Sequence, residues 1–69
     1  MIYNVRWNPA DDTEEYRSRN HASADEAMKF ACTILEQMKV QDIRIMDMSG
    51  QQIAAMPEIV RHWKSMKRT

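Results

Sequence analysis

The chain has 69 residues, of which 43% are hydrophobic and 29% charged, and its formal net charge at pH 7 is zero. Its single Cys cannot form an intramolecular disulfide, which excludes a disulfide-stabilised mini-protein. No apolar run approaches the ~20 residues that a membrane span needs, and the N-terminus lacks the basic and apolar pattern of a signal peptide. The composition therefore predicts a single small soluble domain, cytoplasmic and without a membrane span.

Two strands are predicted in the N-terminal third. Residues 1–7 alternate, with Tyr3, Val5 and Trp7 on one face, which is typical of a strand with one apolar side. Residues 8–13 have turn chemistry and lead to a second strand over residues 15–22, whose low apolar content favours a sheet edge. The alternation of this second strand separates two sets of side chains: Tyr16, Ser18 and Asn20, expected on the apolar side, and Arg17, Arg19 and His21.

A capped helix follows. In the pattern Ser23-Ala24-Asp25-Glu26 the Ser23 hydroxyl accepts from the amide of Glu26, whose carboxylate reaches back to the Ser23 amide. Apolar residues then recur at three- and four-residue spacing, which predicts an amphipathic helix from about 24 to 38: Ala27, Phe30, Ala31, Ile34, Leu35 and Met38.

The C-terminal half repeats the order strand, strand, helix. Residues 41–48 alternate with both faces apolar, and a strand of this kind is usually covered on both sides. Ser49-Gly50 predicts a turn, residues 52–56 a weak strand, and Pro57 the first turn of a helix that extends to about residue 68. The apolar stripe of that last helix is Ile59, Val60, Trp63 and Met66.

These elements predict an α+β domain of order ββαββα. If strands two and three run parallel, strand one fits between them, and the sheet is antiparallel in the order 2-1-3-4 with the capped helix on one face. The C-terminal helix then has two possible positions, over Met46 and Met48 with Trp63 as a lid, or on a second subunit. We expect a homodimer, because it would compensate for the small core.

The layout resembles that of small uncharacterised bacterial and phage proteins, including some anti-CRISPR inhibitors. The resemblance covers residues 1–56 as a pattern: the paired strands through Tyr3–Trp7 and Tyr16–Asn20, the helix start at Ser23, and Asp42-Ile43-Arg44-Ile45 before the turn. It implies a fold and no site.

The strand alternation predicts a basic sheet face opposite the helix. Arg6, Arg17, Arg19 and Arg44 fall there, with no acid from the strands, and the guanidinium group suits carboxylate recognition. The leading hypothesis is a non-catalytic interaction module that self-associates or binds an acidic protein surface; a solvated face is the alternative. Replacement of Arg17 and Arg19 by Glu is expected to abolish that binding. The predicted contact residues are Arg6, Arg17, Arg19, Arg44, Met46, Met48, Trp63 and Met66.

A nucleic-acid accessory role is the second hypothesis. Residues 1–60 carry six basic and ten acidic residues, whereas residues 61–69 carry four basic residues and no acid. Lys64, Lys67 and Arg68 would join the arginines in contacting phosphates. The same cations also complement the dipole of a C-terminal helix. The zero net charge, and aromatics placed on core stripes, favour the protein partner.

The sequence predicts no catalytic residue, cofactor or metal site. The acids between Asp11 and Glu15 lack the spacing and Gly of a calcium loop, which favours a solvated turn. Cys32 has no His in its neighbourhood along the chain, which favours a structural thiol. With one Gly, the chain has no glycine-rich phosphate loop.

Overall fold

The structure is a computed structural model that describes residues 2–11 and 16–67. Its elements follow the predicted order ββαββα with small shifts at their ends. In chain order they are β1 (Tyr3–Pro9), β2 (Arg17–His21), α1 (Ala24–Gln37), β3 (Val40–Asp47), β4 (Gln52–Ala54) and α2 (Met56–Lys67).

The four strands form one antiparallel sheet in the order β2-β1-β3-β4, which confirms the predicted order. The register places Val5 opposite Arg19 of β2 and Ile45 of β3. Ile45 in turn lies opposite Ala54 of β4. Because residues directly opposite one another in an antiparallel pair share a face, this row lies on one side of the sheet.

The core lies between that side of the sheet and the two helices. Its centre is a layer of aliphatic side chains from β1, β3 and both helices. Ile59 of α2 is fully buried in the same cluster as Ala27 and Ala31 of α1. Both helices therefore cover the same face, and the Cα extents of 32 × 31 × 16 Å agree with one helix layer on one sheet layer.

This arrangement corrects the expected position of the C-terminal helix. The predicted position over Met46 and Met48 is not observed: α2 packs beside α1 and on β3, on the other side of the sheet. Met46 and Met48 do not bring α2 to their face, because Ile59 of α2 is buried in the core on the other face and methionine is tolerated at a surface. The face opposite the helices is therefore covered by neither of them.

Two local sequence signals set a helix start and a turn, and of the two hydrogen bonds predicted for the capping box, the one to the Ser23 hydroxyl is observed. The Ser23 Oγ accepts a hydrogen bond from the Glu26 amide at 3.2 Å and caps α1. At the β3–β4 turn, Gly50 has φ of +88°, and its amide donates to the carbonyl of Asp47 at 3.1 Å. A glycine in this conformation closes a three-residue hairpin loop, which sets where β4 begins.

Candidate binding surface on the open face of the sheet

The face of the sheet that neither helix covers is called the open face here. The register of the strands shows which residues share this face: Arg6 lies opposite Ser18 and Arg44, and Met46 lies opposite Asn4 and Gln52. Its members are Asn4, Arg6, Ser18, Asn20, Asp42, Arg44, Met46 and Gln52.

Two arginines lie side by side at the centre of this face. Arg6 of β1 is the direct cross-strand neighbour of Arg44 of β3. Arg44 is bound by Asp42, whose Oδ2 lies 3.0 Å from Nε and 2.5 Å from Nη2. Arg6 is exposed, and no carboxylate among the described residues pairs with it. Like charges directly opposite each other are unfavourable, so an anion that binds both would relieve this repulsion.

Asp42 also binds a side chain at the start of the edge strand β2. Its Oδ2 accepts a 3.3 Å hydrogen bond from the hydroxyl of Tyr16, which comes directly before β2. Tyr16 is therefore an exposed side chain that reaches the open face, and its predicted place in the core is wrong. The same carboxylate thus neutralises Arg44 and positions a phenol beside it.

Polar and apolar side chains occupy the other end of the open face. Asn4 Nδ2 donates to Asn20 Oδ1 at 2.9 Å, a cross-strand pair between β1 and β2. Met46, half-buried, lies opposite Asn4 on the other side. Beyond it, the β3–β4 turn exposes 69% of Met48.

The basic face predicted from the alternation of β2 is not observed. Arg17 and Arg19 lie opposite Trp7 and Val5, on the helix side of the sheet, together with His21. β2 is an edge strand, where long side chains can cover apolar surface, here the Phe30 ring of α1, while their charged ends remain in water.

These helix-side groups pack around one ring. The Arg19 guanidinium carbon lies 5.3 Å from the centre of Phe30, and the His21 ring lies 4.8 Å from it. Trp7 meets the same ring edge-on at 5.4 Å. Phe30 thus gives Arg19 and His21 a packing role on α1, separate from the open face.

The predicted contact residues on α2 belong to the helix layer. Trp63 is half-buried, and its Nε1 donates to Oε1 of Glu36 on α1 at 3.2 Å. Lys67 Nζ lies 4.2 Å from the centre of the Trp63 ring. Met66 and Lys64 are exposed on this layer, whereas Arg68 lies outside the described residues. The predicted set is thus divided among three places: the open face holds Arg6, Arg44 and Met46, with Met48 in the turn at its end.

Asp42 belongs to the open face but not to the basic face predicted from the sequence, although it stands two positions before Arg44, on the same side of a strand. That spacing of two is a usable signal for a pair on one face. The Asn4–Asn20 pair had no such signal, because it depends on the register between β1 and β2.

The surroundings of Cys32 do not favour a nucleophilic thiolate, and the described residues form no metal-ligating group. Burial raises the pKa of the Cys32 thiol, and the nearby Glu36 carboxylate raises it further. A thiol so shifted is less often the reactive thiolate. Within residues 2–11 and 16–67 no group of three metal-ligating side chains is found. The acidic turn considered for a cation includes Asp12, Glu14 and Glu15, which lie outside the described residues.

No helix in the described part of the chain has the length and apolarity to cross a membrane. Comparison of the chain with protein families, with curated protein sequences and with solved structures yields no match.

Proposed function

We propose that this protein is a small non-catalytic interaction module that binds an acidic protein surface through the open face of its sheet. The observation that carries the proposal is the cross-strand pair of Arg6 and Arg44 on a face that neither helix covers. Within this pair, the Arg6 guanidinium is exposed and Arg44 is shared with Asp42.

Electrostatics support a carboxylate as the group that docks there. A carboxylate that accepts hydrogen bonds from two guanidinium groups replaces a like-charge contact by two favourable ones. Asp42 already accepts two hydrogen bonds from the single guanidinium group of Arg44, which leaves Arg6 to be neutralised by a partner. The face as a whole keeps a positive formal charge, so a second copy of the same face would be repelled.

A nucleic-acid partner has less support from the geometry. The basic side chains of α2, Lys64 and Lys67, lie on the helix layer, on the other side of the sheet from Arg6. Between α2 and the arginines of β2 lies α1, with the exposed acids Asp25, Glu26 and Glu36. A phosphate backbone needs a continuous basic path, and the acidic helix interrupts it.

The test is a pair of single substitutions that make the same charge change on opposite sides of the sheet. Arg6→Glu alters the open face, whereas Arg17→Glu alters an exposed arginine of the helix side. The probe is a fluorescein-labelled, Glu-rich peptide of sixteen residues, titrated at low salt. Its binding is measured by fluorescence anisotropy, and the contacted residues of the protein are located by amide NMR shifts. A single-stranded oligonucleotide of equal charge is titrated in parallel.

We expect Arg6→Glu to weaken peptide binding at least about tenfold, equivalent to ~1.4 kcal/mol, and Arg17→Glu to change it less than about twofold. The amide shifts should concentrate in β1 and β3. Equal losses in both variants, or shifts centred on α2, would contradict the proposal. Tighter binding of the oligonucleotide, lost on Lys64→Glu, would favour the nucleic-acid role instead.

A further inference from the structure

The side chains of the open face change from charged to polar and apolar along the strands. Arg6 and Arg44 define one position, and the next pair toward the β3–β4 turn is Asn4 with Met46. Ile2 precedes β1 by one residue, and Met48 follows β3 by one residue, so both stand at the turn end of the sheet. At ~3.3 Å per residue, Ile2 lies about 13 Å along β1 from Arg6.

Exposed apolar side chains are concentrated at this turn end. Ile2 is 42% exposed, and Met48 is 69% exposed. With the half-buried Met46 they form what we call the apolar end of the open face. Grouped apolar surface of this kind marks contact sites more often than isolated apolar residues do, and methionine adapts to partners of varied shape.

We propose that the partner of the open face is a protein segment in which a cluster of carboxylates lies about 13 Å from a cluster of apolar side chains. The inference rests on the proposed function and adds the partner's chemistry and direction. The carboxylates bind Arg6 and Arg44, and the apolar side chains cover Met46 and Met48. The distance corresponds to four residues of an extended strand or to about nine residues of a helix.

Charge and apolarity together select this occupant. A purely acidic segment would leave the apolar end in water, and a purely apolar segment would bury Arg6 without a counter-ion, which is costly. A phosphate backbone carries charge along its whole length and has no aliphatic groups for Met48 and Ile2. The order of the two clusters on the segment sets its direction along the strands.

The experiment selects binders from a random library of sixteen-residue peptides displayed on yeast, with the full chain as bait. Enriched peptides are synthesised and their Kd values measured against the wild type and four variants. Met48→Ser and Ile2→Ser remove exposed apolar groups from the open face. Met66→Ser removes an apolar group of similar exposure (47%) from the helix layer and is the matched control. Arg6→Glu tests whether the Arg6 guanidinium binds the carboxylates of the peptide.

We expect enriched peptides to hold separate acidic and apolar clusters, and a scrambled version of the same composition to bind at least about tenfold more weakly. Met48→Ser and Ile2→Ser should each weaken binding about three- to tenfold, and Met66→Ser less than about twofold. Arg6→Glu should weaken binding at least about tenfold.

Each other outcome has a defined meaning. Peptides sensitive to Arg6→Glu but not to Met48→Ser or Ile2→Ser would overturn this inference and leave the proposed function standing. Peptides insensitive to all open-face variants, or no enrichment above the unselected library, would count against both. A dimer of the protein alone that dissociates on Met48→Ser, seen by sedimentation, would assign the apolar end to a second copy and overturn the inference.

Discussion

The indole Nε1 of Trp63 donates a hydrogen bond to Oε1 of Glu36 at 3.2 Å and joins α2 to α1. Together with the burial of Ile59, this contact holds α2 in the helix layer. The open face owes its exposure to that position, because a helix docked on α1 is not available to cover Met46 and Met48. The stability of the helix pair and the accessibility of the candidate surface are thus linked.

The first prediction concerns that hydrogen bond. Trp63→Phe keeps most of the apolar ring but removes the donor, and Glu36→Ala removes the acceptor. We expect a coupling free energy of about 0.5–1.5 kcal/mol between the two substitutions, in the range of a net hydrogen bond. Urea unfolding of the wild type, both single variants and the double variant measures it. A coupling of zero would mean that Trp63 stabilises α2 by packing alone.

The second prediction tests whether α2 belongs to the same cooperative unit as the sheet. Ile59 is fully buried among residues of α1, β1 and β3, so Ile59→Ala should lower the free energy of unfolding by about 2–4 kcal/mol. Met66→Ala, at an exposed position of the same helix, should cost less than about 1 kcal/mol. Equal and small effects, measured by thermal unfolding, would show that α2 contributes little to the core.

The third prediction separates stability from binding on the open face. Arg6→Glu places a carboxylate opposite Arg44 and converts a like-charge pair into an opposite-charge pair. We expect the free energy of unfolding to rise by about 0.5–1 kcal/mol at low salt. Arg17→Glu, opposite Trp7, should change stability by less than about 0.5 kcal/mol.

Salt provides the control for this electrostatic origin. The gain from Arg6→Glu should shrink in 0.5 M NaCl, because screening weakens interactions between exposed charges. A variant that is more stable than the wild type and still fails to bind an acidic peptide cannot have lost binding through unfolding. Destabilisation by Arg6→Glu would instead indicate that Arg6 makes a structural contribution in the folded state.

The fourth prediction concerns acid stability at the β3–β4 turn. The hydrogen bond from the Ser49 hydroxyl lowers the pKa of Asp47, and bonds from the backbone amides of Gln51 and Ser49 lower it further. These donors lie 2.6, 3.0 and 2.9 Å from Oδ1 of Asp47, respectively. Because the pKa is lower in the folded than in the unfolded chain, the stabilisation is complete above the unfolded value of 3.8.

That stabilisation is lost as the pH falls through the folded pKa of Asp47. The melting temperature of the wild type should therefore fall more steeply below about pH 4 than that of Asp47→Asn, whose side chain does not titrate there. Thermal unfolding from pH 7 to pH 2 measures the difference between the two curves. Parallel curves would show that the turn hydrogen bonds do not favour the carboxylate over the carboxylic acid.

Besides the position of α2, the sequence prediction failed for the polar strand β2. The alternation of β2 predicts two faces, but the prediction turns Tyr16 toward the helix and Arg17 and Arg19 to the opposite side, the reverse of what is observed. An edge strand with five exposed or half-exposed residues carries almost no hydrophobic signal to choose between its faces. The register with β1, and the Phe30 ring beneath Arg19, make the choice in the folded chain.

Local and periodic signals of the sequence by themselves determined the element order and the capped helix, and the sheet order followed from them only with a topological rule about how the strands connect. Ser23 is a cap, Gly50 permits a left-handed turn, and apolar spacing distinguishes helix from strand, all through contacts within a few residues. Only the tertiary structure decided that α2 joins α1, that Arg17 and Arg19 leave the open face, and that Arg6 stands opposite Arg44. Those outcomes depend on which surfaces meet across long stretches of chain, and one residue of register reverses every face of a strand.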